Sequence, residues 1–124
     1  MRIMIVDDSI SQRMKLKFQL NAAGYTSVSE SSNGLELLKE YSVQKFDIVI
    51  LDLIMPEMDG KTALQEILKK DEYATVIIHS SMGCEDEIEE CLTMGACSYI
   101  QKPASEEQIF SALKKAEKNQ RLPQ

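Results

Sequence analysis

Three observations on this 124-residue chain predict a doubly wound α/β fold with five parallel strands and five helices. Strand-like and helix-like segments alternate from one end to the other, the pattern of repeated βαβ units. Residues 3–6, 47–51 and 75–79 read as near-continuous runs of Val, Ile and Leu, as strands covered on both faces do. The crossovers between these runs are short, which favours parallel pairing with a helix in each connection.

The first strand spans 3–6. A helix over about 9–23 follows, opened by Ser9 and closed by Gly24, a good left-handed cap. Met14, Leu16, Phe18 and Leu20 alternate with polar residues, a strand-like period of two. The length of the segment, its two brackets and a Leu16, Leu20, Ala23 stripe argue for helix. The second strand, about 26–30, is polar enough for a sheet edge. Asn33 can cap a helix reaching about Tyr41, with Leu35, Leu37 and Leu38 available for its buried side. The third strand is 47–51, and the helix over about 61–70 buries Leu64, Ile67 and Leu68. A fourth strand over 75–79 leads to a helix over about 85–94 that ends at Gly95. The fifth strand is 98–101. The last helix starts after Pro103, with Ser105 and Gln108 at capping-box spacing and Ile109, Leu113 and Ala116 as its inner stripe. Residues 118–124 read as a frayed tail.

Composition narrows the function. The apolar fraction of 44% and charged fraction of 27% are those of an ordinary globular domain. A formal net charge of −6 speaks against broad attraction to nucleic acid or anionic lipid. No apolar run approaches the roughly 20 residues that span a bilayer, and Met1-Arg2 leads straight into a strand without a signal-peptide pattern. Cys84, Cys91 and Cys97 are odd in number and lack framework or zinc-finger spacing, so reduced thiols in a cytoplasmic protein are expected.

Chemistry concentrates at strand ends. Ile3-Met4-Ile5-Val6 runs into Asp7-Asp8, and Ile48-Val49-Ile50-Leu51 stops at Asp52. Ser80 and Lys102 also fall at or just past carboxyl ends of strands, where doubly wound sheets bind ligands. Each residue has a plainer reading: a helix-starting acid, an Asx turn, a cap, a solvated lysine. Their joint occurrence fits phosphoryl transfer onto a carboxylate. Three gathered acids call for a hard cation such as Mg²⁺, and an aspartate can accept a phosphoryl group as an acyl phosphate. Lys102 could balance the phosphoryl oxygens, and Ser80 could donate to one of them.

With these motifs the chain resembles a response-regulator receiver domain of the single-domain, CheY-like type, over about residues 2–118. The resemblance is carried by Asp7-Asp8, by Asp52 within Asp52-Leu53-Ile54-Met55-Pro56-Glu57-Met58-Asp59-Gly60, by Ser80 after Val76-Ile77-Ile78-His79, and by Tyr99-Ile100-Gln101-Lys102-Pro103. It implies a flavodoxin-like sheet of strand order 2-1-3-4-5 in a single receiver domain over 1–124. It implies Asp52 as phosphoacceptor, Asp7, Asp8, Asp52 and the Ile54 carbonyl as Mg²⁺ ligands, and Ser80 and Tyr99 as switch residues. Lys102 would contact the phosphate, and its bond to Pro103 would be cis. The implied partners are a histidine kinase or phosphotransfer protein as donor and a downstream protein target, with no nucleic acid and no membrane insertion. The implied activity is limited to its own phosphorylation and dephosphorylation, and a monomer is expected.

Three features depart from family habit. His79 stands where an aliphatic residue is usual, and reads either as a neutral core histidine with one hydrogen-bond partner or as a pH-sensitive influence on the adjacent Ser80. Ala104 follows Pro103 where a larger residue is common, so packing under the last helix should differ. Ile54 and Met82 flank the site with apolar side chains that cannot orient an attacking water, which predicts slow self-dephosphorylation. With Gln124 read as a natural end, output should be a protein contact, and the resemblance implies that it is made through the face of the fourth helix, fifth strand and last helix, which bears Glu89, Glu90, Thr93, Tyr99, Glu106, Phe110 and Lys114. Ile10, Met14 and Phe18 form a second stripe on the first helix, either facing outward for docking or folded partly into neighbouring loops. A Mg²⁺-dependent phosphatase is the competing enzyme reading. Such enzymes usually carry Asp-x-Asp after strand one and a separate cap, whereas Asp7 and Asp8 are adjacent and no segment is left for a cap. A flavin-binding reading fails for want of a hydroxyl-rich phosphate loop after strand one.

Overall fold

The structure, a computed structural model, describes residues 1–81 and 83–119. Predictions for Met82 and for the tail beyond Asn119 lie outside the described residues. The elements run β1 (Arg2–Val6), α1 (Ile10–Ala22), β2 (Ser27–Ser31), α2 (Gly34–Val43), β3 (Ile48–Leu51), α3 (Gly60–Lys70), β4 (Val76–Ser80), α4 (Glu85–Met94), β5 (Ser98–Gln101) and α5 (Glu106–Asn119). The strands form one parallel sheet in the order β2-β1-β3-β4-β5. The polar β2 takes the edge, and the apolar β1, β3 and β4 fill the centre.

Side-chain alternation along the strands divides the core in two. Met4, Val6, Val49, Leu51, Val76 and Ile78 pack with Leu37, Leu64 and Ile67 of α2 and α3. Ile3, Ile5, Ile48, Ile50 and Ile77 face the other way, onto Leu16 and Leu20 of α1 and Ile109, Leu113 and Ala116 of α5. A strand buried on both faces needs no polar alternation, which is why these runs are unbroken.

The helix ends follow local chemistry. The Ser9 hydroxyl accepts from the Gln12 N–H, Asn33 accepts from the Glu36 N–H, and Asp59 accepts from the Thr62 N–H. Ser105 and Gln108 form the reciprocal capping box, at 2.9 and 3.1 Å. Gly24 adopts φ +98°, as a left-handed residue after a helix must.

Three details differ from the expectations above. Ala23 is exposed, and Gln19 takes the place beside Leu16 and Leu20 on the buried face of α1. The period of two in α1 arises because Met14 and Phe18 point to solvent while Leu16 and Leu20 point inward. Leu35 is exposed, because α2 faces the core through Gly34, Leu37 and Tyr41. Ser80 is the last residue of β4 and is fully buried. No helix among the described residues is long and apolar enough to cross a membrane.

Candidate metal and phosphoryl site

Parallel pairing puts the carboxyl ends of all strands on one side, and register aligns β1 with β3 through Val6 opposite Leu51. The residue after each is an acid. The Asp7 N–H donates to the Ser31 carbonyl at 3.1 Å and the Asp52 N–H to the Val6 carbonyl at 3.0 Å, so backbone ladders fix both positions. Asp7 and Asp52 are buried and Asp8 is exposed. One oxygen from each of the three carboxylates lies within 4.8 Å of the others.

Lys102 reaches into this cluster from the end of β5. Its N–H donates to the Ser80 carbonyl at 2.8 Å, tying it to β4. Its ammonium donates to Asp7 Oδ2 at 2.6 Å and to Asp52 Oδ2 at 3.3 Å. Burial works against the Lys102 charge. The hydrogen bond to Asp7 and the charges of Asp52 and Asp7 outweigh that cost and hold its pKa above the ordinary lysine value. The Lys102–Pro103 bond is cis, as the motif implied.

Second contacts orient the acids. Asp7 Oδ1 accepts from the Ser9 N–H at 2.9 Å, and Asp52 Oδ1 from the Ile54 N–H at 3.2 Å. The plain reading of Asp52 as an Asx-turn residue therefore holds together with its place in the cluster. Two contributors were not anticipated. Arg13 Nη1 donates to the Asp7 carbonyl at 2.6 Å while its Nε pairs with Glu30 at 3.1 Å. Gly60, anticipated only as a turn residue, passes so close to Asp52 and Leu53 that a Cβ there would overlap their backbone. A glycine closing a Pro-containing loop after an acid was the one available sequence signal for this approach.

Ser80 lies beside this cluster at the end of β4, and Tyr99 lies on the neighbouring strand. The Tyr99 phenol is partly buried, and burial pushes its pKa up against a side-chain hydrogen bond with Ser80. This contact joins the two predicted switch residues. His79 is buried, and burial followed by the nearby Lys102 charge lowers its pKa to about 4, so its imidazole is neutral at pH 7. The expected hydrogen-bond partner is missing. Among the described residues the imidazole has none, and it opens instead onto a pocket beside α1. Ile10, Met14 and Phe18 are 66%, 65% and 74% exposed, so the stripe does not fold into the neighbouring loops.

The sequence model of one family, the response regulator receiver domain, matches residues 3–114. The chain belongs to the response regulator receiver family. Such receivers are signalling proteins of two-component systems, activated by phosphorylation, and members typically use Mg²⁺ at an acidic pocket. Similar relatives include the chemotaxis protein CheY of Listeria monocytogenes, 40% identical over 95% of this receiver and 99% of the relative. CheY of Thermotoga maritima is also 40% identical, over 94% and 98%. The sporulation initiation phosphotransferase F of Bacillus subtilis is 35% identical over 92% and 91%. Among solved structures, CheY in the CheX–CheY–BeF3–Mg complex of Borrelia burgdorferi superposes with a TM-score of 0.86 at 32% identity, covering 90% of this receiver and 85% of that chain. Three carboxylates that gather oxygen donors within reach of one ion, with a single ammonium against them, suit the hard cation this family uses.

Proposed function

We propose that this receiver accepts a phosphoryl group on Asp52 from a phosphohistidine donor in a Mg²⁺-dependent reaction, changes its α4–β5–α5 face to bind a protein partner, and removes the phosphoryl group itself. One observation carries the reading: three carboxylates and one partly buried lysine converge at the carboxyl ends of β1, β3 and β5. Asp7, Asp8, Asp52 and the Ile54 carbonyl would hold the ion. When bound, Mg²⁺ neutralises the approach of one anion to another.

The chain's own groups account for the rest. An Asp52 carboxylate oxygen attacks phosphorus, an O–P bond forms, and the P–N bond to the donor imidazole breaks with its electron pair passing to the nitrogen. The Lys102 ammonium lies 3.3 Å from Asp52 and is already held charged, so it can turn to the new phosphoryl oxygens without a proton transfer. Ser80 then donates to the phosphoryl group. Its hydrogen bond with Tyr99 gives that shift a route to β5 and the surface beyond. Ile54 next to the site is apolar and half exposed, which supports slow attack by water. The exposed Ile10, Met14 and Phe18 stripe supports docking of the donor on α1.

Incubation with acetyl phosphate and Mg²⁺ followed by intact mass tests the chemistry. The expected result is a gain of one phosphoryl group, absent in Asp52→Asn. An unphosphorylated wild type, or a full gain in Asp52→Asn, overturns it.

A further inference from the structure

A pocket of about 310 Å³ opens between α1 and the segment joining β5 to α5. Leu16, Pro103, Ala104 and Ile109 give it an apolar side. His79 and Gln19 lie on its polar side, only 8% and 9% exposed. Neither side chain has a hydrogen-bond partner among the described residues, yet no fully buried polar atom lacks one. Their polar atoms are therefore reached from the pocket. Atoms open to the pocket are hydrated when it holds only water, and a molecule seated there would replace that water with direct hydrogen bonds.

The rim is cationic. Lys15 is exposed at the mouth and makes no ion pair among the described residues. Lys102 also lines the pocket but is held by Asp7 and Asp52. No carboxylate lies among the lining side chains of the described residues. A water cluster would satisfy the polar side only, because an ordered water needs two to four polar partners and one whole side offers none. An amphipathic molecule matches both sides. One uncommitted ammonium calls for one negative charge, and the field of Asp7, which reaches His79, disfavours a second. The neutral imidazole supplies a donor without adding charge. The volume lies at the low end for small-molecule sites, roughly 300–1,000 Å³.

We propose that this pocket binds a small organic monoanion, a carboxylate on a short aromatic or branched body, with its charge between Lys15 and His79 and its body against Leu16, Ala104 and Ile109. Ala104 makes the room, since a larger side chain there would occupy the apolar side. The site does not require Asp52 to be phosphorylated.

The test is a titration of the ¹⁵N-labelled full chain with sodium benzoate, without Mg²⁺, followed in amide correlation spectra, with benzylamine as the control of opposite charge. Benzoate should give saturable shifts centred on Gln19, His79, Ala104 and Ile109, and benzylamine none. Lys15→Glu, on the exposed rim, should weaken binding about tenfold, or roughly 1.4 kcal/mol. Ala104→Phe should abolish it. If Ala104→Phe does not fold, the Lys15→Glu titration decides. Shifts that do not saturate, shifts centred elsewhere, equal binding of benzylamine, or unchanged affinity in Lys15→Glu would each overturn the proposal.

Discussion

Replacing Gly60 with alanine should disturb both stability and the phosphoacceptor. An ideal Cβ at Gly60 falls well inside van der Waals contact of the Asp52 carbonyl oxygen and the Leu53 Cα, and 3.0 Å from the Asp52 carbonyl carbon. All three atoms are backbone, so no side chain can rotate away. The Gly60 N–H also donates to the Leu53 carbonyl at 2.9 Å, and that bond must stretch if the chains part. Overpacking costs about 1–3 kcal/mol, and fixed backbone obstacles place this case near 3 kcal/mol. Against a total stability of about 5–15 kcal/mol that is a large fraction, and for a domain of this size it lowers Tm by roughly 10 °C. Gly24→Ala is the contrast. No atom lies within 4 Å of its Cβ, and only the positive φ of +98° opposes it, so about 1 kcal/mol is expected. Urea unfolding followed by circular dichroism measures both losses, and intact mass after acetyl phosphate measures the yield on Asp52. A Gly60→Ala protein within about 0.5 kcal/mol of wild type, with normal yield, would refute the reasoning.

Four further outcomes are expected. The His79 imidazole titrates near 6.5 when unfolded and near 4 when folded, so the unfolded state binds more protons between those values. Stability from this group is therefore complete above about pH 6.5 and falls as pH drops to 4, by roughly 3 kcal/mol. His79→Leu should remove that part of the slope in urea titrations while leaving phosphorylation by acetyl phosphate intact; an unchanged slope or a lost phosphorylation contradicts this. Lys102→Met leaves Asp7 and Asp52 facing each other, and without Mg²⁺ should cost about 3 kcal/mol. Saturating Mg²⁺ should restore more stability to this variant than to wild type, and an equal loss with and without the ion would count against it. Ile54→Asn places a hydrogen-bonding side chain beside the site and should shorten the phosphoryl lifetime about threefold or more, as read from the decay of the phosphorylated mass; no change argues against water orientation. Met14→Glu should slow transfer from a cognate kinase but not from acetyl phosphate, and equal slowing of both would remove the docking role.

Much of this was legible in residues alone because the signals are local. The runs ending at Asp7 and Asp52 mark strands whose ends lie together in a parallel sheet. The Ser105–Gln108 pair and Gly24 announce helix ends through bonds spanning a few residues. Elsewhere the deciding contact is distant. Leu35 and Ala23 satisfy helical periodicity, but the neighbours of α2 and α1 leave them exposed. Gln19 looks like a surface residue, yet it is buried on the face of α1 that bears Leu16 and Leu20, beside the pocket it shares with His79 and Ile109. The alternation in α1 mimicked a strand because exposed apolar residues on one face interleaved with buried ones on the other.

By itself, the sequence determined the parallel α/β order and the chemical types brought to the sheet edge, since hydrophobic period and strand-terminal acids are properties of short segments. Only the tertiary structure decided that the Lys102 ammonium sits between Asp7 and Asp52, that Gly60 passes against the Asp52 backbone, and that His79 opens into a pocket beside α1. Those facts depend on distances between residues separated in sequence by anything from 8 to 95 positions, and packing of the whole sheet and its helices sets such distances.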